Sequence, residues 1–327
     1  MTLTAQLDPR TESAALCMLC GQSAWETHLS SVLDYLTDEH FDIDRCVGCG
    51  LLITRPMPTE AQIDRYYPAR YRGNRHGFTG RMRVVLRRRA IEARFPRGFR
   101  GRLLDVGCGD GAFVLEMRRR GWEVCATELD PATVQRLQAS GIDAKLPRLA
   151  AQEGFAGPFD AVTCWHVMEH VERPLQLAEW VRTQLKPDGT FQATVPNIAS
   201  LQGRLFKRHW LHLDVPRHRY HFTAKTFRSL LTRAGFSAIR QGRFAIEYDW
   251  FGVIQSTLNS AGFRPNGLFE RLTGPHAGGQ NPGDASLFDA IASAALSVPI
   301  AALSLPAILL ARLFGDGATL TLSCRPA

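Results

Sequence analysis

The chain has 327 residues, of which 45% are hydrophobic and 21% charged, and it carries a net charge of +8. This composition is ordinary for a globular protein, and the length allows two domains or one domain with appendages. The opening residues MTLTAQLDPR lack the apolar segment of a signal peptide, so we expect a cytoplasmic protein. In that compartment the eight cysteines are expected to be metal ligands or free thiols rather than disulfides.

The N-terminal region, residues 1–58, contains two CxxC pairs separated by 25 residues, each with a neighbouring glycine. A CxxC turn places two thiolates on one metal ion, and zinc prefers four such ligands in a tetrahedron. The pattern therefore predicts a structural zinc site at Cys17, Cys20, Cys46 and Cys49. The other four cysteines have no ligand spacing and are expected to be small buried residues: Cys108, Cys125, Cys164 and Cys324.

A basic segment follows, with thirteen arginines between Arg65 and Arg102. Its apolar spacing predicts a helical linker over residues 59–100. The segment is either a solvated basic helix or a patch for phosphate or anionic lipid, and composition does not separate these. Between the cysteine pairs Arg45 is the only arginine or lysine, which argues against nucleic-acid recognition.

From Arg102 onward, strand-like and helix-like segments alternate. The predicted strands are RLLDVG, WEVCATELD, FDAVTCW, GTFQATVP and FSAIRQGRF, and GATLTLSC is predicted as a closing edge strand. This βαβ alternation predicts an α/β fold with a doubly wound parallel sheet. We assign the core to residues 101–244, a hydrophobic helical insertion to 245–314 and the closing strand to 315–327.

The segment LLDVGCGDG places Gly107, Gly109 and Gly111 where the first strand turns into its helix. Backbone without Cβ atoms and the free N–H groups of a helix start suit a nucleotide ligand, and the spacing also fits the dinucleotide fingerprint. Two acidic residues favour S-adenosylmethionine (SAM) instead. Asp105 suits the cationic amine and sulfonium of SAM, and Glu128 at the end of the second strand can accept hydrogen bonds from both ribose hydroxyls.

Residues 103–111 with Glu128, FDAVTCWHVMEHV and the strand near Thr190 resemble a class I SAM-dependent methyltransferase. The motifs CMLCG, RCVGCGLL, RPMPTEAQIDRYYPARY and PRHRYHFT further resemble a bacterial subgroup that joins an N-terminal zinc-ribbon-like module to this fold and is associated with sugar or glycan modification. The resemblance implies a Rossmann-like, seven-stranded sheet with an antiparallel last strand. It also implies cofactor contacts at Asp105, Gly107, Cys108, Gly109, Gly111, Glu128 and Leu129. Residues 143–153 depart from the family because they lack a clear adenine-contact motif, which leaves the adenine contacts open.

Methyl transfer is an in-line displacement that depends on alignment, in some cases with a base that deprotonates the acceptor. His166 follows a strand at the carboxyl edge of the sheet, and HWLHLDVPRHRYHFT forms a loop expected to cover the same edge. We predict that one of His166, His218 and His221 acts on the acceptor. Glu169 and His170 are interpreted as structural, and the histidine spacing fits no common metal-ligand pattern.

The leading functional hypothesis is a SAM-dependent methyltransferase that acts on a sugar or glycan-type acceptor. The first alternative is a quinone-type or other small-molecule O-methyltransferase, because the core motifs also resemble ubiquinone-biosynthesis methyltransferases. The second is a SAM- and zinc-binding scaffold without catalysis. The sequence specifies neither the acceptor atom nor the oligomeric state.

The stretch AIASAALSVPIAALSLPAILLA, residues 290–311, is long enough to cross a bilayer. A single crossing would separate two strands of one sheet, so we predict that it does not span. Pro299 and Pro306 predict two shorter helices. These form either a lid on the enzyme or a hairpin in one leaflet, with the arginine-rich segment on anionic headgroups. We favour peripheral contact with the inner face of the membrane, because a lipid-linked glycan acceptor would also lie there.

Overall fold

The computed structural model describes residues 16–67, 78–242, 246–272 and 287–327. The strands are β1 Trp25–Leu33, β2 His40–Cys46, β3 Leu52–Arg55, β4 Arg102–Val106, β5 Glu123–Thr127, β6 Asp143–Lys145, β7 Phe159–Trp165, β8 Leu185–Pro196, β9 Tyr220–His221, β10 Phe236–Gly242 and β11 Thr319–Pro326. The helices are α1 Glu60–Ile63, α2 Phe78–Glu92, α3 Ala112–Arg119, α4 Pro131–Ala139, α5 Pro147–Glu153, α6 Pro174–Gln184, α7 Leu201–Phe206, α8 Ala224–Arg233, α9 Ile246–Ser260, α10 Gly267–Leu272 and α11 Leu287–Leu313.

Seven strands form the central sheet, in the order β10-β11-β8-β7-β4-β5-β6. Six of these strands run in the same direction, and β11 runs in the opposite direction. The α/β class and the antiparallel last strand are therefore confirmed. The prediction that GATLTLSC is an edge strand is wrong, since β11 lies between β8 and β10. Its alternating threonines are buried rather than solvated, and the Thr321 hydroxyl lies 2.9 Å from the Thr194 hydroxyl.

Several helix boundaries have clear local causes. Asp130 caps α4 by accepting from the Thr133 N–H at 3.0 Å, with Pro131 in the first turn. Thr223 caps α8 by accepting from the Thr226 N–H at 3.1 Å. The predicted helix of the basic segment is present as α2. Residues 68–77 of that segment, and residues 243–244 of the predicted strand FSAIRQGRF, lie outside the described residues.

The N-terminal cysteine region is joined to the region of the seven-stranded sheet through a second sheet. Its order is β1-β2-β3-β9, so the last strand comes from the long loop after β8. The fully buried guanidinium of Arg217 in that loop binds the buried Asp34 carboxylate at 2.6 Å and Asp214 at 2.8 Å. The two regions therefore share a sheet and a buried ion pair. The domain boundary at residue 58 stays a prediction from the sequence.

The insertion before β11 contains α9, α10 and α11, and α11 packs along α9. The prediction of two shorter helices is wrong: α11 is one helix of 27 residues with Pro299 and Pro306 inside it. Both prolines lie on the exposed side, seven residues or about two turns apart. The backbone hydrogen bonds that are lost, because proline has no N–H, therefore lie on the outer side of the helix. The inner side packs against α9 without a break.

Candidate functional site

The glycine turn between β4 and α3 forms the centre of the site. Gly107, Gly109 and Gly111 have φ angles of 68°, 60° and 73°, a region that L side chains rarely adopt. A Cβ at Gly107 would lie 2.5 Å from Val167, and one at Gly111 would lie 2.7 Å from Leu137. At Gly109 no described atom lies within 4 Å of that position. The middle of the turn therefore faces open space, which suits a bound cofactor.

Asp105 lies two residues before the turn, at the carboxyl end of β4, and is completely buried. Thr163 donates a hydrogen bond to its Oδ1 at 2.6 Å, whereas Oδ2 has no partner in the described part of the chain. Burial raises the pKa of Asp105 to about 7, although the Thr163 hydrogen bond and the charge of Arg87 oppose the shift. An unpaired buried carboxylate oxygen beside the open turn fits a cationic ligand.

Glu128 follows β5 and is tied to the glycine turn. Its Oε2 accepts from the Gly109 N–H at 2.7 Å, and its Oε1 accepts from the N–H groups of Leu129 and Asp130 at 2.7 and 3.2 Å. A carboxylate has about four acceptor positions, so these bonds leave one on Oε2. Leu129 is exposed, whereas the side chain of Cys108 is buried and turned away into the core. At Cys108 only the backbone is available to a ligand.

His166 begins the turn that follows β7, the strand beside β4. Its φ of 57° places a non-glycine residue in the left-handed region, a strain that functional sites often contain. Its Nδ1 lies 3.2 Å from Glu169 Oε1, and its ring centroid lies 4.5 Å from that of Tyr248 in α9. Since the next residue, Val167, contacts Gly107, this turn packs directly on the cofactor turn.

The other two histidine candidates lie in the loop that reaches the second sheet. His218 packs with its ring centroid 4.5 Å from that of His170, beside the turn after β7. His221 lies in β9, where its Nε2 is 2.9 Å from the Thr54 hydroxyl. That hydroxyl donates to the His218 carbonyl at 2.6 Å, so His221 is the donor to Thr54. Burial lowers the pKa of both histidines to about 3, which keeps them neutral. Their catalytic roles stay predictions.

Glu169 and His170, which the sequence led us to interpret as structural, lie at the same site. Glu169 is completely buried, and burial raises the pKa of its carboxyl to about 7. His170 Nδ1 lies 3.0 Å from the Tyr67 hydroxyl and 3.1 Å from the Arg217 carbonyl. In the sequence, the only sign of this grouping is Glu169, three positions after His166. The residues that pack against Glu169 and His170 come from a loop some 50 residues later.

The four N-terminal cysteines also come together. Their sulfur atoms all lie within 4.8 Å of one another, and two pairs, Cys17–Cys49 and Cys20–Cys46, are 3.4 Å apart. These separations exclude disulfides, whose bond is about 2.05 Å long, and are close to the roughly 3.8 Å between thiolates on a tetrahedral zinc. A Cβ at Gly48 would lie 2.6 Å from Gln22 Oε1 and 3.2 Å from Cys20 Sγ, so a larger residue there would press on the cluster. The cluster therefore has the composition and spacing of a structural metal site.

Comparison with known proteins identifies the chemistry. Residues 78–241, half of the chain, match the family described as "Methyltransferase domain". The chain belongs to this family. Together with the seven-stranded sheet and the glycine turn, this match identifies a class I SAM-dependent methyltransferase domain. The zinc-ribbon-like module and the sugar-associated subgroup are not part of what the family match covers.

Named relatives of the methyltransferase match a smaller part of it. It is 38% identical over 96 residues to the ubiquinone biosynthesis O-methyltransferase of Xanthomonas campestris pv. campestris (strain B100), across 27% of this chain and 40% of that relative. The protein of that name from Acinetobacter baumannii (strain AYE) is 34% identical over 96 residues, with the same coverage. The chain thus spans well under two thirds of the length of these relatives.

Solved structures are similar at lower identity. A SAM-dependent methyltransferase from Archaeoglobus fulgidus has a TM-score of 0.45 and 17% identity, over 74% of this chain and 93% of that one. A SAM-dependent methyltransferase from Mesorhizobium loti has a TM-score of 0.42 and 18% identity, over 73% of this chain and 97% of that one.

Proposed function

We propose that this methyltransferase transfers the methyl group of SAM to a sugar or glycan-type acceptor that is lipid-linked and presented at a membrane surface. The observation that carries the membrane part is the exposed side of α11. Large apolar side chains cover it, and Leu303 is 81% exposed. The members of this apolar face are Ile291, Leu296, Val298, Leu303, Leu305, Leu309, Leu310 and Leu313, and Phe314 continues it beyond the helix. An uncharged exposed surface of this extent is typical of a contact site.

Contact with one face of the membrane is favoured over a crossing. Ile291–Leu313 is the helix in the described residues that is long and apolar enough to span a bilayer. However, its end is bound to the enzyme: Arg312 pairs with the buried Asp249 of α9, which also accepts from the Ala318 N–H. β11 then enters the central sheet beside β10. A helix pinned to α9 and followed at once by a core strand presents its outer side to lipid without leaving the protein.

The arginine-rich segment gives partial support to this orientation. In α2, Arg88 pairs with Glu92 at 2.6 Å, and the Arg87 guanidinium lies over the Trp165 ring at 4.9 Å from its centroid. These two arginines therefore serve the fold. Arg81 and Arg89 are exposed and remain available to anionic headgroups.

The residues that would hold SAM follow from the site. The N–H groups and open space of the glycine turn, the Asp105 carboxylate and the remaining acceptor position of Glu128 form the cofactor side. SAM supplies an electrophilic methyl group. The chain has to orient the acceptor in line with it and to exclude water. We assign to His166 the role of accepting a proton from the acceptor, because the turn that it begins packs on the glycine turn.

The cysteine cluster is proposed to bind one structural zinc ion. Each CxxC turn is closed by a backbone hydrogen bond, from the Gly21 N–H to Cys17 O at 2.7 Å and from the Gly50 N–H to Cys46 O at 2.9 Å. Burial opposes ionisation of Cys46, but hydrogen bonds from the Cys49 backbone and the Cys20 thiol lower its pKa to about 7. Burial raises the pKa of Cys17 and Cys49, so Cys46 ionises more readily than these two neighbours.

A second candidate function is methylation of a ring hydroxyl on a quinone-type acceptor. The match to ubiquinone biosynthesis O-methyltransferases favours it, although it covers 40% of their length. Such an acceptor is also apolar and would reach the enzyme through the same face of α11.

One experiment separates the two acceptors. Purified protein is incubated with methyl-labelled SAM and bacterial membranes, and the lipids are extracted. Mild acid should release the label into the aqueous phase as a methylated sugar if the acceptor is a lipid-linked glycan, whereas a methylated quinone stays in the organic phase. Label on water-soluble compounds alone would contradict the membrane-bound acceptor, and Glu128→Ala provides the control for cofactor dependence.

A further inference from the structure

Three side chains with metal-ligand atoms meet beside the cofactor turn. Glu169 and His170 lie in the turn after β7, and His218 lies in the loop before β9. One ligand atom of each lies within 4.8 Å of the others. Backbone hydrogen bonds join the two segments, because the Arg219 and Tyr220 N–H groups donate to Glu169 O at 2.8 and 3.2 Å. The cluster is therefore built into the fold rather than formed by mobile surface side chains.

The hydrogen bonds of the two imidazoles determine which nitrogen is free. His170 Nδ1 lies 3.1 Å from the Arg217 carbonyl, and His218 Nδ1 lies 2.9 Å from the His212 carbonyl. A carbonyl only accepts, so we place the hydrogen of each ring on Nδ1, where that of His170 also faces the Tyr67 hydroxyl at 3.0 Å as an acceptor. Each neutral ring then keeps a lone pair on Nε2. The same backing by a carbonyl orients the histidine ligands of metal ions. The nearest carboxylate to His218 Nε2, Asp214, is 3.9 Å away, beyond hydrogen-bond distance.

Glu169 completes the set. Its Oε1 is used by His166, whereas Oε2 is buried and has no hydrogen-bond partner among the residues that the structure describes. A buried carboxylate oxygen without a partner costs desolvation free energy, and a bound cation would offset that free energy. One carboxylate oxygen and two imidazole nitrogens are a common ligand set for first-row transition ions, and three protein ligands leave a coordination position open.

We propose that Glu169, His170 and His218 bind a divalent first-row transition ion, in a second metal site distinct from the cysteine cluster. The inference is independent of the acceptor's identity. It gives His218 the role of a ligand instead of the general base that sequence reasoning predicted. Since Val167, two residues before Glu169, contacts Gly107, the ion lies close to the cofactor turn.

Cobalt titration of the metal-stripped full-length protein tests the proposal. Thiolate-bound Co²⁺ shows intense sulfur-to-metal charge-transfer absorption, whereas a site of nitrogen and oxygen ligands shows only weaker ligand-field bands. We expect a Co²⁺ component without charge transfer in the wild type. Glu169→Gln and His218→Gln should each weaken it by at least the roughly 10–100-fold seen when the supporting partners of a metal ligand are lost. The charge-transfer component and SAM affinity should stay unchanged.

His212→Gln is the matched control. His212 is a neighbouring, partly buried histidine, but its Nε2 contacts the Tyr248 carbonyl at 3.1 Å and does not belong to the cluster. This variant should retain the second Co²⁺ component. If either cluster variant fails to fold, X-ray absorption of the wild type loaded with two equivalents of zinc gives an independent answer. The proposal predicts scattering from nitrogen and oxygen ligands in addition to sulfur ligands. Absence of the second component in the wild type, or its survival in both cluster variants, would overturn the proposal and leave Glu169 as a protonated carboxyl.

Discussion

The Glu128 carboxylate accepts a hydrogen bond from the backbone N–H of Gly109 at 2.7 Å, joining the end of β5 to the glycine turn that follows β4. The residue expected to bind the ribose therefore also holds the turn that faces the cofactor. Loss of its carboxylate removes a ligand contact and releases the turn at the same time.

Glu128→Ala is expected to weaken SAM binding by about 1.5–3 kcal/mol, the range for hydrogen bonds to a charged group. Calorimetry with SAM measures the change. Glu123→Ala, at the exposed start of the same strand, where Glu123 pairs with Arg102 at 2.9 Å, serves as the control and should leave the affinity unaltered. Equal affinities for wild type and Glu128→Ala would remove the ribose-binding role.

Asp105 should make stability depend on pH. Its folded-state pKa of about 7 lies above the ordinary value of 3.8. Its contribution to stability is therefore full below pH 3.8 and is lost as the pH rises through 7. Without SAM, Asp105→Asn should gain stability relative to the wild type between pH 5 and pH 8, by up to roughly 3 kcal/mol. Denaturant unfolding at the two pH values measures it, and a pH-independent difference would show that the carboxylate is paired or solvated.

Among the histidine candidates, His166 should carry the largest effect on turnover. His166→Gln is expected to lower kcat by about 10²–10⁴-fold with SAM binding intact, since the turn that His166 begins packs on the cofactor turn through Val167. His221→Gln should mainly lower the melting temperature, because it disturbs the hydrogen bond to Thr54 in the second sheet. If both variants keep wild-type kcat, catalysis proceeds by positioning alone.

The cysteine cluster should bind one equivalent of metal through thiolates. After metal removal, Co²⁺ titration should show one equivalent with sulfur-to-metal charge transfer, lost in Cys20→Ser and Cys46→Ser. Cys125→Ser changes a buried cysteine of β5 outside the cluster and should leave the band intact. A folded protein without thiolate-bound metal would refute the zinc proposal.

The apolar face of α11 should bind lipid. We expect the wild type to sediment with anionic vesicles, less so at high salt because exposed arginines contribute. Leu303→Glu combined with Leu310→Glu should abolish sedimentation, since charge on the lipid-facing side opposes burial. Leu205→Glu changes an exposed leucine of α7 and should bind like the wild type. A wild type that stays in the supernatant with anionic and neutral vesicles would contradict the membrane proposal.

The sequence alone was sufficient for the features that depend on neighbouring residues. The glycine turn needs backbone freedom within five positions, and each CxxC pair lies in one turn. The alternation of strands and helices also predicted the α/β class correctly, since burial on both faces of a parallel sheet leaves a strong apolar signal in each strand.

Tertiary structure decided what depends on partners far apart in the chain. Alternating threonines and leucines predicted an edge strand, yet β11 is central because Thr321 meets a buried hydroxyl partner on β8. Prolines predicted a break in the apolar stretch, yet packing on α9 maintains one helix. Glu169 and His218 are 49 positions apart in the sequence, and only the crossing of two loops brings their ligand atoms together. Local propensity acts through adjacent residues, whereas burial, pairing and ligand geometry arise only when distant segments meet.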